Sequence, residues 1–256
     1  DMYYEYLGFS QYAEGWGHFA FNLVYFNQGE QARTSSISSD IIGKFSSFEL
    51  MASGSYGATM TENLSLGLTF KAIYSKLADA GQGNEKGKGV GNSFALDFGA
   101  MYKAPVKGLS LSAVVHNIGP KISYIDVSQA DPLPLHAVFG ASYIPIDSEF
   151  NKLTFALDVY KPLVTRNASP LEAIIKGWYD EDKEFEQIDF KLGTEYVYNN
   201  FMALRAGYTY DKDGELKSPT FGVGILYEKL SVDIAYYAAR DNPMQDSMRF
   251  SFAYDF

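Results

Sequence analysis

A period of two recurs along most of this chain, and it is the feature that most restricts the fold. Leu64, Leu66, Leu68, Phe70 and Ala72 alternate with Ser65, Gly67, Thr69 and Lys71. Phe94, Leu96 and Phe98 alternate with Ala95, Asp97 and Gly99, and Leu153, Phe155, Leu157 and Val159 with Thr154, Ala156 and Asp158. The same pattern places Ile188, Phe190 and Leu192 against Asp189, Lys191 and Gly193, and Phe221, Val223 and Ile225 against Gly222 and Gly224. The terminal "MRFSFAYDF" (248–256) sets Met248, Phe250, Phe252, Tyr254 and Phe256 against Arg249, Ser251, Ala253 and Asp255. Successive side chains of a strand point to opposite faces, so each run has one apolar and one polar or small face. The runs approach the roughly 9–11 residues of a tilted membrane strand, with lipid on one side and a wet interior on the other.

Thirteen strands are predicted, at 2–10, 17–28, 45–58, 63–75, 92–104, 108–117, 135–144, 151–161, 187–198, 201–210, 219–228, 230–239 and 247–256. A single helix is predicted in "SPLEAIIKGWY" (169–179), from its Ser-Pro start and the helical spacing of Leu171, Ile174, Ile175 and Trp178. The links alternate in length. Those at 29–44, 76–91, 118–134, 162–186, 211–218 and 240–246 are long; those at 11–16, 59–62, 105–107, 145–150, 199–200 and near 229 are short. A soluble sandwich has no reason to sort loops by end, whereas an outer-membrane barrel has short periplasmic turns and longer external loops. The expected fold is therefore all-β: a transmembrane, antiparallel, up-and-down β-barrel forming one domain over 1–256. Bacterial barrels use even strand numbers, so fourteen strands are expected, with about thirteen visible and an N-terminal strand or plug missing. The opening "DMYYEYLGFS" has neither a basic start nor an apolar core, so it is no signal peptide, and a processed or truncated chain is expected.

Composition removes other classes. Hydrophobic residues make up 46% of 256, mean hydropathy is -0.15, and Lys71, Asp97 and Lys103 interrupt every candidate spanning helix. A net charge of -10 argues against nucleic-acid binding, which needs clustered Lys and Arg. With no Cys there is no disulfide, thiolate site or Cys nucleophile. The 20 Tyr suit membrane interfaces, where Tyr102, Tyr143, Tyr198, Tyr210, Tyr227 and Tyr254 fall near predicted strand ends; contact with a partner protein would want the same residues.

No motif points to catalysis, a metal or a cofactor. His18, His116 and His136 lack ligand spacing, although His116 and His136 flank one predicted loop and could approach each other. "GQGNEKGKGVG" (81–91) lacks the Lys-Ser/Thr ending of a phosphate loop and reads as a loop. "YDEDKEFEQ" (179–187) is not at the spacing of a calcium loop and reads as a solvated segment. The charged positions of the inward face are the better candidates. Glu195 and Arg205 lie opposite one another across the turn at Asn199-Asn200, and an ion pair is expected. Asp97, Asp158, Lys191, Asp233 and Arg249 fall on the same face, as ion pairs that fill the lumen or as a polar pathway.

Several phrases resemble the PorV/PorQ family of type IX secretion outer-membrane proteins, within the FadL-like barrels: "DMYYEYLGFSQYAEGWGHFAFNLVYFNQGEQ" (1–31), "HNIGPKISY" (116–124), "IPIDSEFNKLTFALDVYKPLV" (144–164), "EAIIKGWYDED" (172–182) and "LRAGYTY" (204–210). The likeness runs in order over most of the chain, without the family's N-terminal region. It implies a non-enzymatic protein of the Gram-negative outer membrane, in contact with lipid and lipopolysaccharide. The implied partners are a large translocon barrel (SprA/Sov-like), the C-terminal signal domains of secreted proteins, and a surface attachment complex. Candidate contacts are the links 76–91, 118–134 and 162–186, with Leu171, Ile174, Ile175, Trp178 and Tyr179 foremost. The resemblance also makes Phe256 the terminal aromatic read by the barrel-insertion machinery. Two rival readings stay open: a FadL-like transporter of hydrophobic small molecules, and an enzyme acting on lipid or lipopolysaccharide, for which no nucleophile is marked.

Overall fold

The computed structural model describes residues 2–34, 40–78, 89–165, 168–179, 188–212, 214, 216–238 and 247–256. The predicted loop 81–91 and the acidic run 179–187 lie outside these residues, apart from 89–91 and Tyr179, as does all of the predicted link 240–246. The strands are β1 (Tyr3–Ala13), β2 (Gly17–Thr34), β3 (Ile41–Thr59), β4 (Leu64–Ala78), β5 (Gly89–Lys103), β6 (Leu109–Ile118), β7 (His136–Asp147), β8 (Asn151–Pro162), β9 (Asp189–Tyr198), β10 (Met202–Asp211), β11 (Leu216–Tyr227), β12 (Leu230–Tyr237) and β13 (Ser247–Tyr254). The helix is α1 (Pro170–Lys176). All thirteen strands join one sheet in sequence order, so β1 and β13 each have a single neighbour in it. No helix among the described residues is long and apolar enough to cross a membrane.

The alternation becomes two faces through the register. Val223 pairs with Ile234 and Ile234 with Phe250; one step along, Ile225 pairs with Val232 and Val232 with Phe252. These large apolar side chains are all exposed, as a lipid-facing surface requires. On the opposite face, Thr154, Glu195, Arg205, Gly222, Ala235 and Arg249 form one row across six strands.

Local chemistry sets the turns. Asn199 and Asn200 both adopt left-handed backbone, at φ 52° and 49°, which a two-residue hairpin of the right twist demands and Asn tolerates. The Phe201 amide closes that turn onto the Tyr198 carbonyl at 3.0 Å. Between β2 and β3 the structure departs from the sequence reading: most of the predicted link 29–44 is paired strand. Pairing continues to Thr34 and Ile41 after a shift between Asn27 and Glu30. Gly29 supplies the bulge with φ 80°, its amide donating to Asn27 Oδ1 at 2.6 Å. Beyond it Lys44 pairs with Glu30 at 2.5 Å.

The chain divides into two compact units. The first comprises 1–99, 115–135 and 163–177, and its buried cluster is Ala95, Ile122 and Leu133, with Ile73 and Tyr124 packed against it. The second comprises 100–114, 136–162 and 178–256, including the whole row from Thr154 to Arg249.

Candidate functional site

In the second unit the charged face is organised around one arginine. Register places Glu195 directly opposite Arg205, and Arg205 Nε donates to Glu195 Oε2 at 2.6 Å. The other side of the guanidinium crosses β11 and donates through Nη1 to Asp233 on β12. That reach depends on glycine: a Cβ at position 224 would sit 2.2 Å from Asp233 Oδ1 and 3.0 Å from Arg205 Nη1. Replacing Gly224 with Val is therefore expected to break the Arg205–Asp233 contact and keep the Arg205–Glu195 one. The cost should be about 1–3 kcal/mol, the usual range for overpacking. Thermal unfolding of Gly224→Val with and without Asp233→Ala measures it; with Asp233 shortened, the penalty should fall by at least half. Equal penalties in both backgrounds would contradict the contact.

The other candidate charges of this face, Asp158, Lys191 and Arg249, form no ion pair with one another. Asp158 lies opposite Lys191 in the register, yet the two make no ion pair; the Lys191 ammonium instead stands 5.8 Å from the centre of the Tyr160 ring. Arg249 shares the row of Arg205, but Gly222 and Ala235 lie between them, and it pairs with no carboxylate among the described residues. Lys191 and Arg249 instead line, with Tyr160, Asp189, Asp211 and Ser247, a cavity of about 560 Å³. Its walls carry both signs of charge, which suits polar groups better than a purely apolar solute.

Asp97 belongs to the first unit and pairs with residues outside the candidate set. Lys71 Nζ lies 2.7 Å from Asp97 Oδ2, and His116 Nδ1 lies 2.9 Å from the same oxygen. The Asn117 amide donates to Asp97 Oδ1 at 2.9 Å, and Lys71 Nζ donates to Asn117 Oδ1 at 2.9 Å. Three consecutive strands thus supply Lys71, Asp97 and the His116–Asn117 pair. His136, expected as a possible neighbour of His116, belongs to the second unit and stacks on Tyr160 with ring centres 4.4 Å apart.

The long β6–β7 link, read from sequence as an external contact, has a folded interior of its own. Ile122 and Leu133 are buried against Ala95. Ile122 and Asp131 exchange backbone hydrogen bonds at 2.8 and 2.9 Å. Asp126 caps the short turn Val127–Gln129, and the Ser128 amide it accepts holds its carboxyl below the usual range.

The candidate contact helix α1 starts on a capping box: the Ser169 side chain accepts from the Glu172 amide while Glu172 reaches back to the Ser169 amide at 3.0 Å. Those contacts, chiefly the backbone one, keep the exposed Glu172 carboxyl below its ordinary range. Two small residues then decide which face is buried. Ala173 is covered, and a Cβ at Gly177 would lie 2.7 Å from Leu163 Cα, so the helix sits flat on that buried leucine. Leu171 and Ile175 fall on the opposite side, one turn apart, and are 71% and 66% exposed. Ile174 is half-buried. In the second unit Tyr179 is exposed, while the Trp178 ring tilts against Phe139 with centres 5.9 Å apart. Phe256 is exposed, its ring edge-on to Tyr254 at 5.6 Å.

Comparison with known proteins bears on the fold and the family. The family described as "Type IX secretion system protein PorV" matches residues 2–169. No curated protein matches the sequence. Among solved structures, the toluene transporter TbuX of Ralstonia pickettii is similar over 93% of this chain and 78% of its own, at 15% identity and a TM-score of 0.53. The toluene transporter TodX of Pseudomonas putida is similar over 97% and 79%, at 11% identity and a TM-score of 0.57. A second TodX structure gives 96% and 79%, at 13% identity and a TM-score of 0.56. At such identities these likenesses speak for the fold, that of the FadL-like barrels. Helix α1 lies just beyond the matched residues.

Proposed function

Because the chain belongs to the PorV family of type IX secretion system proteins, we propose that it is an outer-membrane β-barrel component of that system, working by binding and not by chemistry. The match over residues 2–169 carries the reading, and the sheet supports it. Exposed rows such as Val223, Ile234 and Phe250 suit a lipid-facing wall, and the charged face opposite suits a wet one. The barrel anchors the chain, within one outer-membrane domain, and its loops present surfaces to a translocon barrel and to C-terminal signal domains of cargo. Leu171 and Ile175 are the foremost contact residues, since exposed apolar side chains on a rigid, capped helix suit a binding anchor.

A second reading, transport of a hydrophobic small molecule, draws on the likeness to the toluene transporters. The mixed charges of the cavity beside Lys191 and Arg249 weigh against it for an apolar solute. Isolation from native outer membranes separates the two: secretion predicts co-purifying protein partners, transport predicts bound small molecule and none.

A further inference from the structure

We propose that the cavity at the long-link end of β8 to β13 binds a short zwitterionic peptide, its carboxylate held by Lys191 and Arg249 and its ammonium by Asp189 and Asp211. The inference does not rest on the secretion reading. It rests on how the strands sort four charges around one space.

Every residue that lines the cavity belongs to the second unit. Tyr160 pairs with Asp189 where β8 ends and β9 begins, and Asp211 closes β10 opposite Leu216, the first residue of β11. Those ends carry the long links 162–186 and 211–218, the external side in a barrel of this type. Lys191 lies opposite Thr209, so Asp189 and Asp211 each stand two residues further out on the same two strands. At about 3.3 Å per residue, the carboxylate layer sits about 7 Å outside the position of Lys191. Arg249 starts deeper, on the row of Arg205, and its long side chain extends to the same cavity.

The charges are thus layered and not interleaved. The Gly214 amide donates to Asp211 Oδ1 at 2.6 Å and fixes that carboxylate at the mouth. Further in, Lys191 and Arg249 pair with no carboxylate among the described residues. Lys191 rests on the Tyr160 ring at 5.8 Å, a contact that keeps its ammonium available to an anion.

Two positive and two negative groups line the space. A zwitterion leaves it neutral, whereas a lone anion meets the aspartates and a lone cation meets Lys191 and Arg249. Length narrows the class further. An extended dipeptide spans about 7 Å, which matches the two layers, and a single amino acid is too short to bridge them. The rings of Tyr160 and Tyr237 offer apolar faces to its stem, and the Thr209 and Ser247 hydroxyls offer hydrogen bonds to its peptide group.

Calorimetric titration of the full chain in detergent at low salt, with alanyl-alanine as the probe, tests the site. Binding with a Kd near 1 mM is expected, since the charges are exposed and each pair contributes little. Blocking the amino end by acetylation or the carboxyl end as an amide should each weaken binding at least about threefold, and blocking both at least about tenfold. Free alanine should also bind at least about threefold more weakly than the dipeptide. In Lys191→Met/Arg249→Met the dipeptide and its amide should bind equally weakly, while in Asp211→Asn the dipeptide and its acetylated form should draw closer together. These comparisons on the wild type do not depend on any variant folding. No binding of alanyl-alanine by about 10 mM, equal binding of the doubly blocked form, or a Lys191→Met/Arg249→Met protein that still prefers the free carboxylate would each overturn the proposal.

Discussion

Asp97→Ala is expected to be the most destabilising single substitution in the first unit, at about 3–5 kcal/mol, the range for removing one partner of a shielded ion pair. The reason is what stays behind. Lys71 Nζ loses the oxygen at 2.7 Å and keeps, among the described residues, Asn117 Oδ1. The Asn117 amide and the His116 ring each lose their acceptor on Asp97 in the same step. The uncompensated ammonium dominates, because a charge left in a poorly hydrated place costs more than a missing neutral hydrogen bond. Asp97→Asn should cost roughly half as much, since an amide oxygen can still take the Asn117 amide, and Lys71→Met in the Asp97→Ala background should recover much of the loss. Urea unfolding of the reconstituted protein reads all three. A cost below about 1 kcal/mol for Asp97→Ala would show that water solvates this site as it does a surface pair.

The second large effect concerns binding. The double substitution Leu171→Glu/Ile175→Glu is expected to weaken capture of a protein partner by at least roughly a hundredfold, the equivalent of two anchor residues of modest weight. Folding should hardly change, because both side chains are exposed and neither packs on the body of the protein. The helix is fastened by other residues: Ser169 and Glu172 cap its start, and Ala173 and Gly177 seat it. A partner titration with wild type and variant decides. Equal affinities would move the contact away from α1.

The strands were legible because each carries its own evidence: the two faces of 221–227 can be read from seven consecutive residues. Features made by several distant segments were not. The β2–β3 extension hides in "NQGEQART", whose polar residues show no alternation and whose bulge at Gly29 shifts the register. Glu195 and Arg205 could be set opposite each other from a short hairpin, whereas the reach from Arg205 to Asp233 depends on Gly224, which marks a gap only once β11 is known to lie between. Asp97 could be placed on the polar face, but its partners Lys71, His116 and Asn117 come from neighbouring strands whose stagger is set by loops with no periodic signal. For the same reason Ile122 and Leu133 read as residues of an external loop, although they are core.

Purification of the tagged, full-length protein from native outer membranes, with mass spectrometry of everything that accompanies it, tests the central claim most directly. Membership of a type IX secretion component predicts that a very large barrel protein and exported proteins carrying C-terminal signal domains are recovered in stoichiometric amounts. Recovery of the protein without either, carrying a bound hydrophobic small molecule instead, would contradict the account.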